Sequence, residues 1–130
     1  MPEADASLRE FVRSRAGGRC EYCRISERFT LAEHQLDHVV AMKHGGRTVA
    51  GNLALACALC NRFKGSDIAS IDPQTGELTP LFHPRIDIWE DHYEFRDGEI
   101  FGLTVWGRAT VFLLRMNRPA RVRERQILRG

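Results

Sequence analysis

The chain has no long apolar run. No stretch of about 18 consecutive apolar residues, the length a membrane-spanning helix needs, occurs anywhere in its 130 residues. The opening Met1-Pro2-Glu3-Ala4-Asp5 lacks the basic and apolar parts of a secretory leader. The expectation is therefore a cytoplasmic protein without a membrane partner. Internal repeats and low-complexity tracts are also missing, which sets aside solenoids and disordered linkers. Acidic residues are scarce at the C-terminal end: residues 100–130 hold one against seven basic side chains. Residues 67–99 reverse this, with nine acidic and two basic, and residues 1–66 carry ten basic and seven acidic. The net charge of +2 hides that asymmetry. The basic ends are either solvated surface with a disordered tail from residue 115, or parts of a surface for phosphate.

What remains is an ordinary water-facing composition, 43% hydrophobic and 28% charged, enough for one small core with an appended part. Cysteine is used only as two Cys-x-x-Cys pairs, Cys20/Cys23 and Cys57/Cys60. Two disulfides or one tetrathiolate zinc site would satisfy the spacing. With no leader to carry the chain to an oxidising compartment, structural zinc is the stronger expectation. A metal staple also suits a short segment with few large apolar residues.

The local pattern predicts a helix after Ser7, capped by Ser7 with Glu10, with Leu8, Phe11 and Val12 on one face and Gly17-Gly18 as its stop. Arg9, Arg13 and Arg15 fall on its other face as candidate phosphate contacts. Residues 30–41 read as strand, Lys43-His44-Gly45-Gly46-Arg47 as a turn, and a short helix starts near Cys57 and ends by Gly65. Further on, Asp72–Glu77 reads as a turn. Asp97-Gly98 marks a hairpin between Trp89–Phe95 and Glu99–Val105. Thr104–Leu114 continues as strand or becomes a helix from near Ala109, and the end allows a short amphipathic helix. Phe82, Trp89, Phe101 and Trp106 are expected in the core.

Between the cysteine pairs lie Asp37-His38 and Asn52, and Asn61 follows Cys60. Asp37 and Asn61 offer hard oxygen donors, which suit Mg²⁺ or Mn²⁺ better than zinc. His38 carries an imidazole, the side chain best suited to deprotonating a water as a general base. Asn52, or a backbone carbonyl elsewhere, can orient that imidazole. Lys43, Arg47, Arg62 and Lys64 would border such a cleft and meet a phosphate backbone. His34 and His44 are further histidines near it.

The run Cys20-Glu21-Tyr22-Cys23, Leu36-Asp37-His38-Val39-Val40, Gly45-Gly46 and Gly51-Asn52-Leu53 through Cys57-Ala58-Leu59-Cys60-Asn61-Arg62-Phe63-Lys64-Gly65 resembles the HNH family of endonucleases. The resemblance covers roughly residues 16–66. It implies an α+β chain with a β-β-α-metal, treble-clef-like core, residues 1–66, stapled by zinc at Cys20, Cys23, Cys57 and Cys60. An N-terminal helix precedes the core, and a β-rich extension, residues 67–130, packs on it. It further implies metal-dependent hydrolysis of DNA, with His38 as general base, Asn52 constraining the loop and the histidine, and Asp37 and Asn61 on a catalytic Mg²⁺ or Mn²⁺. Asn61 is a departure, since many members have histidine there. Residues 67–130 are similar, less specifically, to the C-terminal part of small bacterial HNH proteins, through Leu81–Arg85, Trp89–His92 and Gly102–Thr110, with His83 and His92 as secondary candidates for metal or DNA. No small-molecule organic cofactor is expected, and the chain would act as monomer or homodimer. The alternative is a catalytically inert zinc-stapled module that only binds DNA; an RNA-directed nuclease or a toxin effector is more remote.

Overall fold

A computed structural model describes residues 5–129, the side chain of Arg129 excepted. Residues 1–4, where the leader pattern would begin, and Gly130 lie outside the described residues. The fold is α+β, and the chain divides into two compact units, Met1–Asp67 and Ile68–Gly130. Among the described residues no helix is long and apolar enough to cross a membrane.

The first unit opens with α1, Ala6–Arg15. Its cap is Asp5, whose carboxylate accepts from the Leu8 amide at 2.8 Å, rather than the expected Ser7. A carboxylate at this position both satisfies an orphan N–H and faces the positive end of the helix. Gly17 and Gly18 end the helix at φ +64° and +71°, and the Gly18 amide reaches back to the Arg13 carbonyl at 3.1 Å. That closure requires a left-handed residue, which glycine adopts without a steric penalty. Val12 is the buried residue of α1; Phe11, expected beside it, is 53% exposed.

Two strands follow, β1 (Gln35–His38) and β2 (Leu53–Ala56), antiparallel, with Asp37 opposite Ala54 and His38 opposite Leu53. The strand expected over residues 30–41 is thus reduced to four residues. Past His38 the Val39 amide bonds the Asn52 carbonyl, and Val40 is taken by the Asn52 side chain, so the ladder stops there. Helix α2, Ala58–Lys64, leaves β2 directly, with Cys57 as its N-cap. Val12, Leu53 and Leu55 form a small core, joined by partly buried Leu8, Ala16 and Leu36. Three large apolar residues make a weak core, so the cysteine cluster has to contribute to order.

The second unit holds two hairpins and three helices. Strands β3 (Ala69–Ile71) and β4 (Leu78–Pro80) are joined by a turn in which Asp72 accepts from the Gln74 amide and the Thr75 hydroxyl. Trp89–His92, expected as strand, forms the short helix α3. Strands β5 (Tyr93–Arg96) and β6 (Glu99–Gly102) pair across Asp97-Gly98, both at positive φ as a two-residue hairpin turn demands. Helix α4, Val105–Leu113, begins four residues before the expected Ala109, because the Thr104 hydroxyl caps it through the Gly107 amide.

Helix α5, Pro119–Arg129, takes up the basic end. Two of its arginines point inward: Arg121 donates to the Leu114 and Arg115 carbonyls, and Arg125 to those of Gly98 and Met116. They satisfy the carbonyl of the α4 C-cap, Leu114, those of Arg115 and Met116 just beyond it, and that of Gly98 in the β5–β6 turn. Phe82, Trp89, Tyr93, Ile100, Leu114 and Met116 are buried, with Phe82 edge-on to Tyr93 at 5.2 Å. Phe101 and Trp106, expected in this core, are instead 43% and 42% exposed.

Candidate functional site

The cysteines come together from two turns. Cys20 and Cys23 sit in a knuckle where the Cys23 amide points at Cys20 Sγ (3.4 Å). Cys57 and Cys60 repeat the arrangement at the start of α2, with the Cys60 amide on Cys57 Sγ (3.4 Å). All four sulfurs lie within 4.8 Å of one another, buried, with no disulfide. Tetrahedral zinc with bonds near 2.3 Å requires sulfurs about 3.8 Å apart, and Cys23 Sγ to Cys57 Sγ is 3.7 Å. Burial pushes the Cys20 thiol well up, so a cluster of thiolates here requires a cation. The four cysteines can hold a structural zinc.

The knuckle is bound to β2 by its own backbone and side chains. The Glu21 amide donates to the Leu55 carbonyl at 2.8 Å, and the Glu21 carboxylate accepts from the Leu55 amide at 2.7 Å. Between the cysteines, Tyr22 reaches the neighbouring strand: its hydroxyl donates to Asp37 Oδ2 at 2.7 Å. A side chain inside the cysteine turn therefore positions the carboxylate of the Asp-His pair.

Asp37 is 3% exposed. Its other oxygen receives Lys64 Nζ at 3.2 Å, and the same ammonium donates to the carbonyls of His38 and Val39. Burial raises the Asp37 pKa, opposed by the Lys64 charge and the Tyr22 hydrogen bond. Lys64, expected at a phosphate backbone, is 1% exposed and is committed to this pair and to the end of β1. That expectation is corrected: an ammonium held by three internal acceptors has no reach to a nucleic acid. Lys43, Arg47 and Arg62 are exposed. On α1, Arg13 pairs with Glu27, and Arg15 donates to the Ala50 and Leu53 carbonyls, so these two also serve the fold.

Alternation along β1 puts Gln35 and Asp37 on one side and His38 on the other. Asn61, on α2, donates through its side-chain amide to the Gln35 side chain. Asp37, through Lys64, and Gln35, through Asn61, thus both engage α2. The His38 ring meets Thr48 Oγ1 at 2.9 Å through Nε2. Asn52 does not touch that ring; its amide donates to the Val40 and Arg47 carbonyls and its oxygen accepts from the Val40 amide. It clamps the loop that delivers Thr48. Gly46 sits inside this clamp, where a Cβ would strike the Val40 carbonyl. His34 is buried with Nε2 on the Ile25 carbonyl, and His44 is exposed in the loop. In the second unit His83 accepts from the Arg85 amide and His92 meets Thr104, so both are held by local partners.

Residues 20–67 match the family model of HNH endonucleases. No curated protein and no solved structure matches the chain. The HNH segment contains the four cysteines, both strands, α2 and every candidate residue from Asp37 to Lys64. Tyr22, Thr48 and Gln35 were not legible as site residues. Tyr22 had one signal, its position inside the Cys-x-x-Cys turn next to a motif that contains a carboxylate.

Proposed function

We propose that the chain is a metal-dependent endonuclease that hydrolyses phosphodiester bonds in DNA. The observation that carries this reading is the HNH match over residues 20–67 together with a strand pair that presents the Asp37-His38 dipeptide beside the cysteine cluster. In this reading the Asp37 carboxylate and the Asn61 amide oxygen would hold Mg²⁺ or Mn²⁺, the cation displacing Lys64 and Tyr22 from Asp37 and His38 approaching from the other side of β1. Such an ion neutralises charge on the phosphate and on the departing oxygen. Lys64, 3.2 Å from Asp37, already neutralises that carboxylate, so metal binding would require the ammonium to move aside.

His38 is the general base in this reading. The Thr48 hydroxyl holds Nε2, and Nδ1 is the nitrogen that takes the proton from water. Asn52 acts through the loop, fixing Thr48 rather than the imidazole itself. Lys43, Arg47 and Arg62 supply phosphate contacts, which give affinity without sequence information. Zinc at Cys20, Cys23, Cys57 and Cys60 is structural.

One observation favours a second reading, an inert zinc-stapled DNA-binding module. Both Asp37 oxygens already have partners, Tyr22 and Lys64, and the carboxylate is buried. The two readings separate in a plasmid assay run with and without added Mg²⁺ or Mn²⁺, with zinc quantified in the same preparation. Metal-stimulated nicking at constant zinc content supports the endonuclease. Salt-sensitive binding with no metal-stimulated turnover supports the inert module.

A further inference from the structure

In the second unit, α4 presents an unusual stripe. Arg108, Val111 and Phe112 share one face of the helix, and Arg115 follows just past its C-terminus at φ +50°. A face buried in a core would be apolar throughout, yet this one carries the Arg108 guanidinium, and Arg115 stands just beyond the helix. Phe112, 63% exposed, and Phe101 of β6, 43% exposed, both line a groove of about 490 Å³. Pro73, Val111, Arg115 and Arg118 are among its other lining residues. Arg96 lies over the Phe101 ring, 3.8 Å from its centroid, and brings positive charge to the hairpin wall.

The charges are not equivalent. Arg108 is tied through Nε and Nη2 to the fully buried Asp72, which neutralises it and fixes the wall. Arg115 and Arg118 are exposed on the helix side, and Arg96 on the hairpin side, its partner Glu94 lying along the same strand. The groove is thus an apolar, aromatic slot lined by the exposed Arg115 and Arg118, with the Arg96–Glu94 pair next to its Phe101 side.

We propose that this groove binds single-stranded nucleic acid, one base entering between Phe101 and Phe112 with the flanking phosphates at Arg115, Arg118 and Arg96. Aromatic rings accept any base, and guanidinium groups accept the phosphates on either side. Two exposed arginines along the slot, Arg115 and Arg118, suit a strand, which has a phosphate before and after each base, better than a terminal mononucleotide. The site lies within residues 73–118, outside the HNH segment, and does not depend on cleavage.

The test is fluorescence anisotropy of a labelled oligothymidylate with the full chain, without added Mg²⁺ or Mn²⁺. Loss of one stacked base is worth about tenfold in affinity, so Phe112→Ala is expected to weaken binding by about that factor. Arg118→Ala is expected to weaken it and to flatten its salt dependence. Ile127→Ala, an exposed apolar residue outside the groove, is expected to bind like the parent. All three substitutions are at exposed positions, and thermal melts confirm equal folding. Parental affinity in both Phe112→Ala and Arg118→Ala would overturn the proposal. So would thymidine monophosphate competing as well, per molecule, as the oligomer. Neither result bears on metal-dependent plasmid cleavage, so this site and the HNH reading fail separately.

Discussion

Lys64 is the residue on which the first unit's polar interior turns. Its ammonium and the Asp37 carboxylate are both almost wholly removed from water, and Tyr22 completes the set. Removing one partner of a buried pair leaves the other charged and unsatisfied, at a cost of about 3–5 kcal/mol. Lys64→Ala is expected to lose that much in urea denaturation. Exposed Lys43→Ala should leave stability within about 0.5 kcal/mol and instead lower the salt dependence of DNA binding. Thr48 carries a smaller effect of a different kind. Its hydrogen bond to His38 is a single neutral one, worth about 0.5–1.5 kcal/mol, so Thr48→Val should slow cleavage by roughly three- to tenfold. Thr48→Ser, which retains the hydroxyl, should restore the rate. Restored rate with serine assigns Thr48 to orienting the base; equal loss in both variants assigns it to packing.

At the scale of elements, the second unit is fastened by the ion pair between the β3–β4 turn and α4. Arg108 holds the Asp72 carboxyl well below its ordinary value, chiefly by a side-chain hydrogen bond. A depressed carboxyl contributes stability that is complete above its unfolded pKa, about 3.9, and is lost as pH falls below it. The melting temperature should therefore drop more steeply below about pH 4 in the parent than in Asp72→Asn; parallel curves would remove the pair from the account. The turns at Gly17-Gly18, Asp72–Glu77 and Asp97-Gly98 were legible because their residues permit few other backbones. The helix at Trp89–His92 was not, since aromatic residues suit strands equally and α3 is one turn long. The first strand was overread for a related reason: Val39-Val40 are strand formers, but Asn52, distant in sequence, withdraws their backbone from the ladder. Inward-pointing Arg121 and Arg125 were equally hidden, because an arginine-rich helix reads as solvated until the carbonyls it caps are in place.

For the molecule as a whole, zinc held by the four cysteines would stand in for a large core in the first unit. Chelation, or Cys57→Ala, should abolish the hydrogen-exchange protection of the Glu21 and Leu55 amides, which depend on the knuckle lying against β2. Retained protection at zero zinc would show that the apolar residues suffice. The dipeptide Asp37-His38 and the cysteine brackets were readable in the chain because order and spacing carried them; that Tyr22 and Lys64 would hold Asp37 was not, since each lies far from it in sequence. The central claim is that His38 activates water for metal-dependent phosphodiester hydrolysis. Its most direct test is supercoiled-plasmid nicking in Mg²⁺ by the parent and by His38→Ala, at matched zinc content and matched thermal stability. The account predicts Mg²⁺-dependent nicking by the parent and loss of at least about a hundredfold in the variant; nicking by His38→Ala at the parental rate would contradict it.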